Sequence, residues 1–93
     1  ATIIAAQVAD MLINIDHVEA SFTFYYLADD CIGVSARSKG EINVQLVMEA
    51  LGGGGHRTVA GAQLRGRTLA EAQGDVMAAL HEIIDKDKEI DEK

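Results

Sequence analysis

The residues of this chain best suited to chemistry lie in one loop and the strand end expected beside it. Leu51-Gly-Gly-Gly-Gly-His56 sets four glycines, Gly52, Gly53, Gly54 and Gly55, directly before a histidine. Glycine reaches φ > 0 at little steric cost, so the backbone of such a run can approach a ligand closely. Successive N–H groups without intervening side chains form a concavity for an anion. His56 adds an imidazole or imidazolium donor for a phosphate oxygen. Arg37 supplies a planar fork that meets a phosphate in bidentate fashion, and Ser38 adds a hydroxyl. The chemistry these types share is the holding of a phosphate or phosphodiester. Ser35, Asn43, Arg57 and Thr58 stand close enough in sequence to join them. Each has a plainer reading beside the functional one. His56 can also be a plain loop histidine, and Arg37 reads equally as an exposed strand end. Asn43 reads more readily as a helix N-cap, and Arg57 as a solvated base.

Other chemistries find less support. No Lys-Ser/Thr follows the glycines, so the loop is not a Walker A motif. Arg57 stands where a dinucleotide-binding motif needs its third glycine. His17, His56 and His81 show no metal-ligand spacing. Cys31 is the only cysteine, which excludes a disulfide framework and makes a reducing compartment the default. Tyr25 and Tyr26 can stack on a base, although adjacent strand positions place at least one of them in the core.

Ninety-three residues make one domain, and a hydrophobic fraction of 48% is normal for a packed globule. No signal peptide and no membrane-spanning apolar run is present. The chain opens on Ala in a segment already patterned, and so reads as a piece of a longer protein. The net charge of −7 argues against a nonspecific nucleic-acid binder. Between residues 37 and 67, however, Arg37, Lys39, Arg57, Arg65 and Arg67 face only Glu41 and Glu49. That window carries +3 and leaves −10 for the remainder, so positive charge gathers around the glycine loop.

The elements that must position these residues follow from periodicity. Ile4, Val8, Met11 and Ile15 form a helical stripe over residues 2–14, ended by Asn14 and Asp16. Residues 19–27, rich in aromatic and β-favouring types, read as a strand apolar on both faces, which implies burial on both sides or a helix on each face. Asp29-Asp30 turns the chain into a second strand over 31–38. On it Ile32, Val34 and Ala36 share one face, and Gly33, Ser35 and Arg37 the other. Asn43 then caps a helix striped by Val44, Val47, Met48 and Leu51, and Gly52 ends it. Residues 59–65 read as a third strand. Thr68-Leu-Ala-Glu71 is a capping box that opens a long helix, with a fraying charged tail from Asp85. The order α-β-β-α-β-α implies an α/β domain with a small mixed sheet: a β-hairpin plus a right-handed parallel βαβ crossover, packed by helices.

The motifs also carry a resemblance. Ser35-Ala-Arg-Ser38, Ile42-Asn-Val-Gln45 and Gly52-Gly-Gly-Gly-His56 followed by Ala60-Gly-Ala62 resemble the DHHA1 domain of DHH-family phosphoesterases. The longer run from Ile32 to His56 is most similar to the GdpP/YybT type of cyclic-di-AMP phosphodiesterase, and the likeness covers nearly the whole chain. It implies one DHHA1-like substrate-binding domain over residues 1–93, taken from the C-terminal part of a longer phosphodiesterase. In that family a separate DHH domain holds two Mn²⁺ ions that activate water for attack on phosphorus. The DHHA1 domain grips the substrate. The resemblance thus assigns phosphate clamping and charge stabilisation to Arg37, Ser38, Gly52–Gly55 and His56. One departure matters: no Asp-His-His sequence occurs in these 93 residues. No catalytic residue, metal ligand or cofactor is therefore assigned to this chain, and hydrolysis is not expected of it alone.

The partners so implied are a cyclic or short linear dinucleotide and the DHH domain of the same parent, with oligomerisation open and no membrane contact. The implied location is cytoplasmic, with any membrane anchor confined to the parent. Two other functions compete. A module of a RecJ-like or nano-RNase-like exonuclease would bind longer strands, which wants an extended basic, aromatic track. A structural or dimerisation module would use the glycines only as a turn.

Overall fold

The computed structural model describes residues 6–15, 18–39 and 41–91. Seven elements follow in order: β1 (Ala6–Ile15), β2 (Val18–Ala28), β3 (Cys31–Ser38), α1 (Val44–Ala50), β4 (Gly54–Gly55), β5 (Val59–Arg65) and α2 (Leu69–Asp91). The strands form one sheet of order β1-β2-β3-β5-β4, and every neighbouring pair is antiparallel.

Alternation along the strands decides the layers. Phe22 and Phe24 on β2, Ile32, Val34 and Ala36 on β3, and Ala60, Ala62 and Leu64 on β5 are buried in one cluster. Val44, Val47 and Met48 of α1 and Ala72, Val76 and Leu80 of α2 complete it, so both helices cover the same face. The intervening residues, among them Thr23, Tyr25, Ser35, Arg37, Gly61, Gln63 and Arg65, lie on the opposite face, which no helix among the described residues covers.

Four expectations are corrected. The helix placed over residues 2–14 is a strand over the described part, Ala6–Ile15; residues 2–5, with Ile4, lie outside the described residues, as do Asp16 and His17. Ala9, Met11 and Ile13 pack against the core in alternation, which is strand periodicity. A register shift between Gln7 and Ala9 makes Val8 the extra residue of a β-bulge. The slip breaks the period of two and lets Val8, Met11 and Ile15 imitate a helical stripe.

The parallel βαβ crossover is also replaced. β3 and β5 are antiparallel neighbours. The helix delivers the chain not to β5 but to β4, a two-residue glycine strand, and a tight turn then reverses it into β5. β3 and β4 both pair antiparallel with β5, which lies between them. The burial on both faces read into residues 19–27 is absent too: Phe22 and Phe24 face the core, while Thr23 is only half-buried. Neither tyrosine joins the core, Tyr26 being 45% exposed.

The strand over 31–38, both ends of α1 and the start of α2 lie where the pattern places them. Asn43 Oδ1 accepts from the N–H groups of Gln45 (3.1 Å) and Leu46 (3.4 Å). The capping box closes reciprocally: Glu71 N–H donates to Thr68 Oγ1 at 3.1 Å, and Thr68 N–H to Glu71 Oε1 at 2.9 Å. α2 continues to Asp91, so the segment from Asp85 is helical.

Candidate functional site

The glycine run is built first as a helix terminus. Gly52 N–H donates to the Glu49 carbonyl at 3.0 Å and Gly53 N–H to the Met48 carbonyl at 2.8 Å. With Gly52 at φ 87°, this is a complete Schellman closure of α1. Those two N–H groups are therefore committed to helix carbonyls. Beyond them, His56 N–H donates to Val59 C=O at 2.7 Å, making 56–59 a bonded pair. Antiparallel alternation then makes Gly54–Gly61 the next bonded pair and turns the Gly55 N–H to the open edge of the sheet. The cradle expected over all four glycines narrows to the Gly55 N–H and the turn that follows.

That turn is tied to the end of β3 and the start of α1. Ser38 N–H donates to Thr58 C=O at 3.0 Å, and Val44 N–H donates to Arg57 C=O at 3.1 Å. Ser38 Oγ donates to Ile42 C=O at 2.6 Å, so its proton holds the 38–42 loop closed. Asn43 spends its side-chain oxygen on the α1 cap. The structure thus brings Arg37, Ser38, Asn43, His56, Arg57 and Thr58 to one end of the sheet. Ser35 stands two residues along β3 on the same face as Arg37. Gly52 and Gly53 lie apart from this group, at the other end of α1.

Charge sorts the basic window further. Arg67 binds Asp75 with two bonds, 2.8 and 2.9 Å, and lies 3.7 Å from Glu71. The Asp75 bonds and charge raise its pKa, so it belongs to the α2 terminus. Lys39 lies 3.7 Å from Glu19. Arg37 and Arg65 are exposed and form no ion pair among the described residues, leaving two available guanidinium groups on the open face. His56 is likewise exposed.

The open face carries two depressions. The larger, about 600 Å³, is walled by Gly52 and Gly53, floored by Gly61 and bounded by Tyr25, Gln63 and Arg65. The smaller, about 200 Å³, lies beside Arg37, Ser38 and Lys39. Gln63 was not singled out from the sequence, and Arg65 only as charge. The signal was present: Gly61, Gln63 and Arg65 alternate with buried Ala60, Ala62 and Leu64 and so must share the open face. No group of three His, Cys, Asp or Glu side chains among the described residues could hold a metal ion.

Residues 2–86 match the DHHA1 domain family, and the chain belongs to it. It is 49% identical over 79 residues to the cyclic-di-AMP phosphodiesterase PdeA of Listeria monocytogenes, covering 85% of this chain and 12% of the relative. It is 43% identical over 88 residues to the cyclic-di-AMP phosphodiesterase GdpP of Geobacillus thermodenitrificans, covering 95% and 13%. The bifunctional oligoribonuclease and PAP phosphatase NrnA of Thermus thermophilus is 39% identical over 70 residues, covering 73% and 22%. The chain thus spans only a small part of each relative. No helix among the described residues is long and apolar enough to cross a membrane.

Proposed function

We propose that this chain is the substrate-gripping domain of a phosphodiesterase acting on a cyclic dinucleotide of the cyclic-di-AMP class. The observation that carries the reading is the joining of Arg37 and Ser38 to the His56–Thr58 turn through the Ser38–Thr58 backbone bond. Arg37, which forms no ion pair among the described residues, presents its fork to a phosphodiester oxygen, and the exposed His56 stands at the same end of the sheet. Their work is binding and orientation, and neutralising charge that builds on the phosphate oxygens as the bond to the leaving oxygen breaks. The attacking water and its activation belong to the DHH domain of the parent, whose family uses Mn²⁺. The cytoplasm is the compartment this substrate class implies.

The test is hydrolysis of cyclic-di-AMP by the longer protein that contains this chain and a DHH domain. Arg37→Ala should lower kcat/KM about 10- to 100-fold, the size of one lost charge-assisted hydrogen bond, with metal content unchanged. Unchanged kinetics would remove Arg37 from the site. A second reading draws on the similarity to NrnA: a short linear oligoribonucleotide as substrate. Affinity that keeps rising from two to five nucleotides would favour it.

A further inference from the structure

Gly33 sits in the middle of β3 and is buried although it lies on the face no helix covers. What buries it is Tyr25, its cross-strand partner on β2. The Tyr25 ring occupies the space where a Cβ on Gly33 would stand: its Cζ is 2.6 Å and its hydroxyl 3.0 Å from that position. A mid-strand glycine weakens a strand, and a close approach is a standard reason for finding one. Here the approach lays an aromatic ring across β3 toward Gln63, the next residue of the same cross-strand row. The ring lines the 600 Å³ groove, whose opposite wall, Gly52 and Gly53, has no side chains and whose floor is Gly61. That volume falls in the range of small-molecule sites.

We propose that the Tyr25 groove is a nucleobase subsite: a base stacks on the Tyr25 ring, Gln63 bonds to its edge, and Arg65 meets the outer phosphate. The proposal rests on the nucleotide reading above and adds where the second nucleotide goes. The geometry connecting the two ends is on the same face. Tyr25–Gly33–Gln63 and Ser21–Arg37–Val59 are two cross-strand rows, separated by the row Thr23–Ser35–Gly61–Gly54. On β3, β5 and β4 that middle row carries nothing larger than the Ser35 hydroxymethyl, so the floor between them is clear. Gly33 and Arg37 are four residues apart, about 13 Å along an extended strand. One end therefore takes a phosphodiester at Arg37 and the other a base at Tyr25. Gln63 supplies both an amide donor and an amide acceptor, so it can pair with a base edge where an aliphatic side chain could not.

Isothermal titration of the 93-residue chain with linear 5′-phosphorylated diadenylate, and with inorganic pyrophosphate as a ligand without a base, tests this. Tyr25→Ala should weaken diadenylate binding about tenfold or more, the range of one base–aromatic stack, and leave pyrophosphate unchanged. Tyr25→Phe should retain affinity. Gly33→Ala, which displaces the ring without removing it, should reproduce Tyr25→Ala. Circular dichroism melts of each variant separate lost binding from lost folding. If Tyr25→Ala and Gly33→Ala stay folded and bind diadenylate as the wild type does, while Arg37→Ala loses it, the subsite is wrong and the phosphodiester reading stands. If the folded wild type binds no diadenylate at millimolar concentration, the nucleotide reading fails and the subsite with it.

Discussion

The N–H of Gly53 donates to the carbonyl of Met48 at 2.8 Å, and this bond fixes what the glycine run can do. It closes α1 and aims the chain along the edge of β5. A Cβ on Gly53 would run into the Gly61 carbonyl oxygen and stand 2.7 Å from the Ala62 Cα, so Gly53→Ala should destabilise the fold by about 1–3 kcal/mol. Gly52→Ala, forced to φ 87°, should cost roughly 1–2 kcal/mol. Urea unfolding of the two variants measures both.

Gly54 is the informative member of the run. Its φ lies outside the left-handed region, and a Cβ there would meet nothing within 4 Å. Gly54→Ala should unfold within about 0.5 kcal/mol of the wild type. If the loop touches a nucleotide, the added methyl should still weaken binding. Wild-type affinity in this variant would mean that no ligand approaches Gly54.

The α2 terminus carries a pH dependence. The Thr68 N–H bond, followed by the Arg67 charge, holds the Glu71 carboxyl below the ordinary carboxylate range. A carboxylate with a lowered folded pKa contributes stability that is complete above its unfolded value. That contribution is lost as pH falls through the lowered folded value. The Thr68 amide proton should therefore move as the solution passes below the ordinary glutamate range. Glu71→Gln, which keeps an acceptor but does not titrate, should flatten the curve.

Gly74 offers an opposite test. It lies exposed within α2, and a Cβ there would meet nothing within 4 Å. Gly74→Ala should stabilise the domain by about 1 kcal/mol and raise its Tm by about 4–8 °C. A thermal melt checks it.

The parts of the fold legible in the sequence are those where local chemistry and periodicity agree. Asn43, Gly52 and the Thr68–Glu71 pair mark helix ends because their side chains or torsions satisfy specific backbone groups. β3 is legible because six of its residues alternate without interruption. β1 is not, because the bulge at Val8 shifts the phase. β4 leaves no trace because two glycines have no side chains to alternate, and missing it turned an antiparallel hairpin into a parallel crossover. At the candidate site, Arg37, Ser38 and His56 were grouped by residue type, and the structure places them at one end of the sheet, with the Ser38 hydroxyl turned to the Ile42 carbonyl. The use of the Gly52 and Gly53 N–H groups was not, because a helix closure and an anion cradle call for the same glycines. The Tyr25–Gly33 contact was equally hidden, since it needs the β2–β3 register.

The Arg37 end of the sheet is proposed to grip a phosphodiester. An amide-resolved NMR titration of the 93-residue chain with linear diadenylate, beside Arg37→Ala and His56→Ala, tests it most directly. Shifts at Ser38, Gly55, His56 and Thr58 should saturate in the wild type and collapse in both variants. Saturating shifts at those amides that persist unchanged in both variants, or a wild-type spectrum unmoved at millimolar ligand, would contradict it.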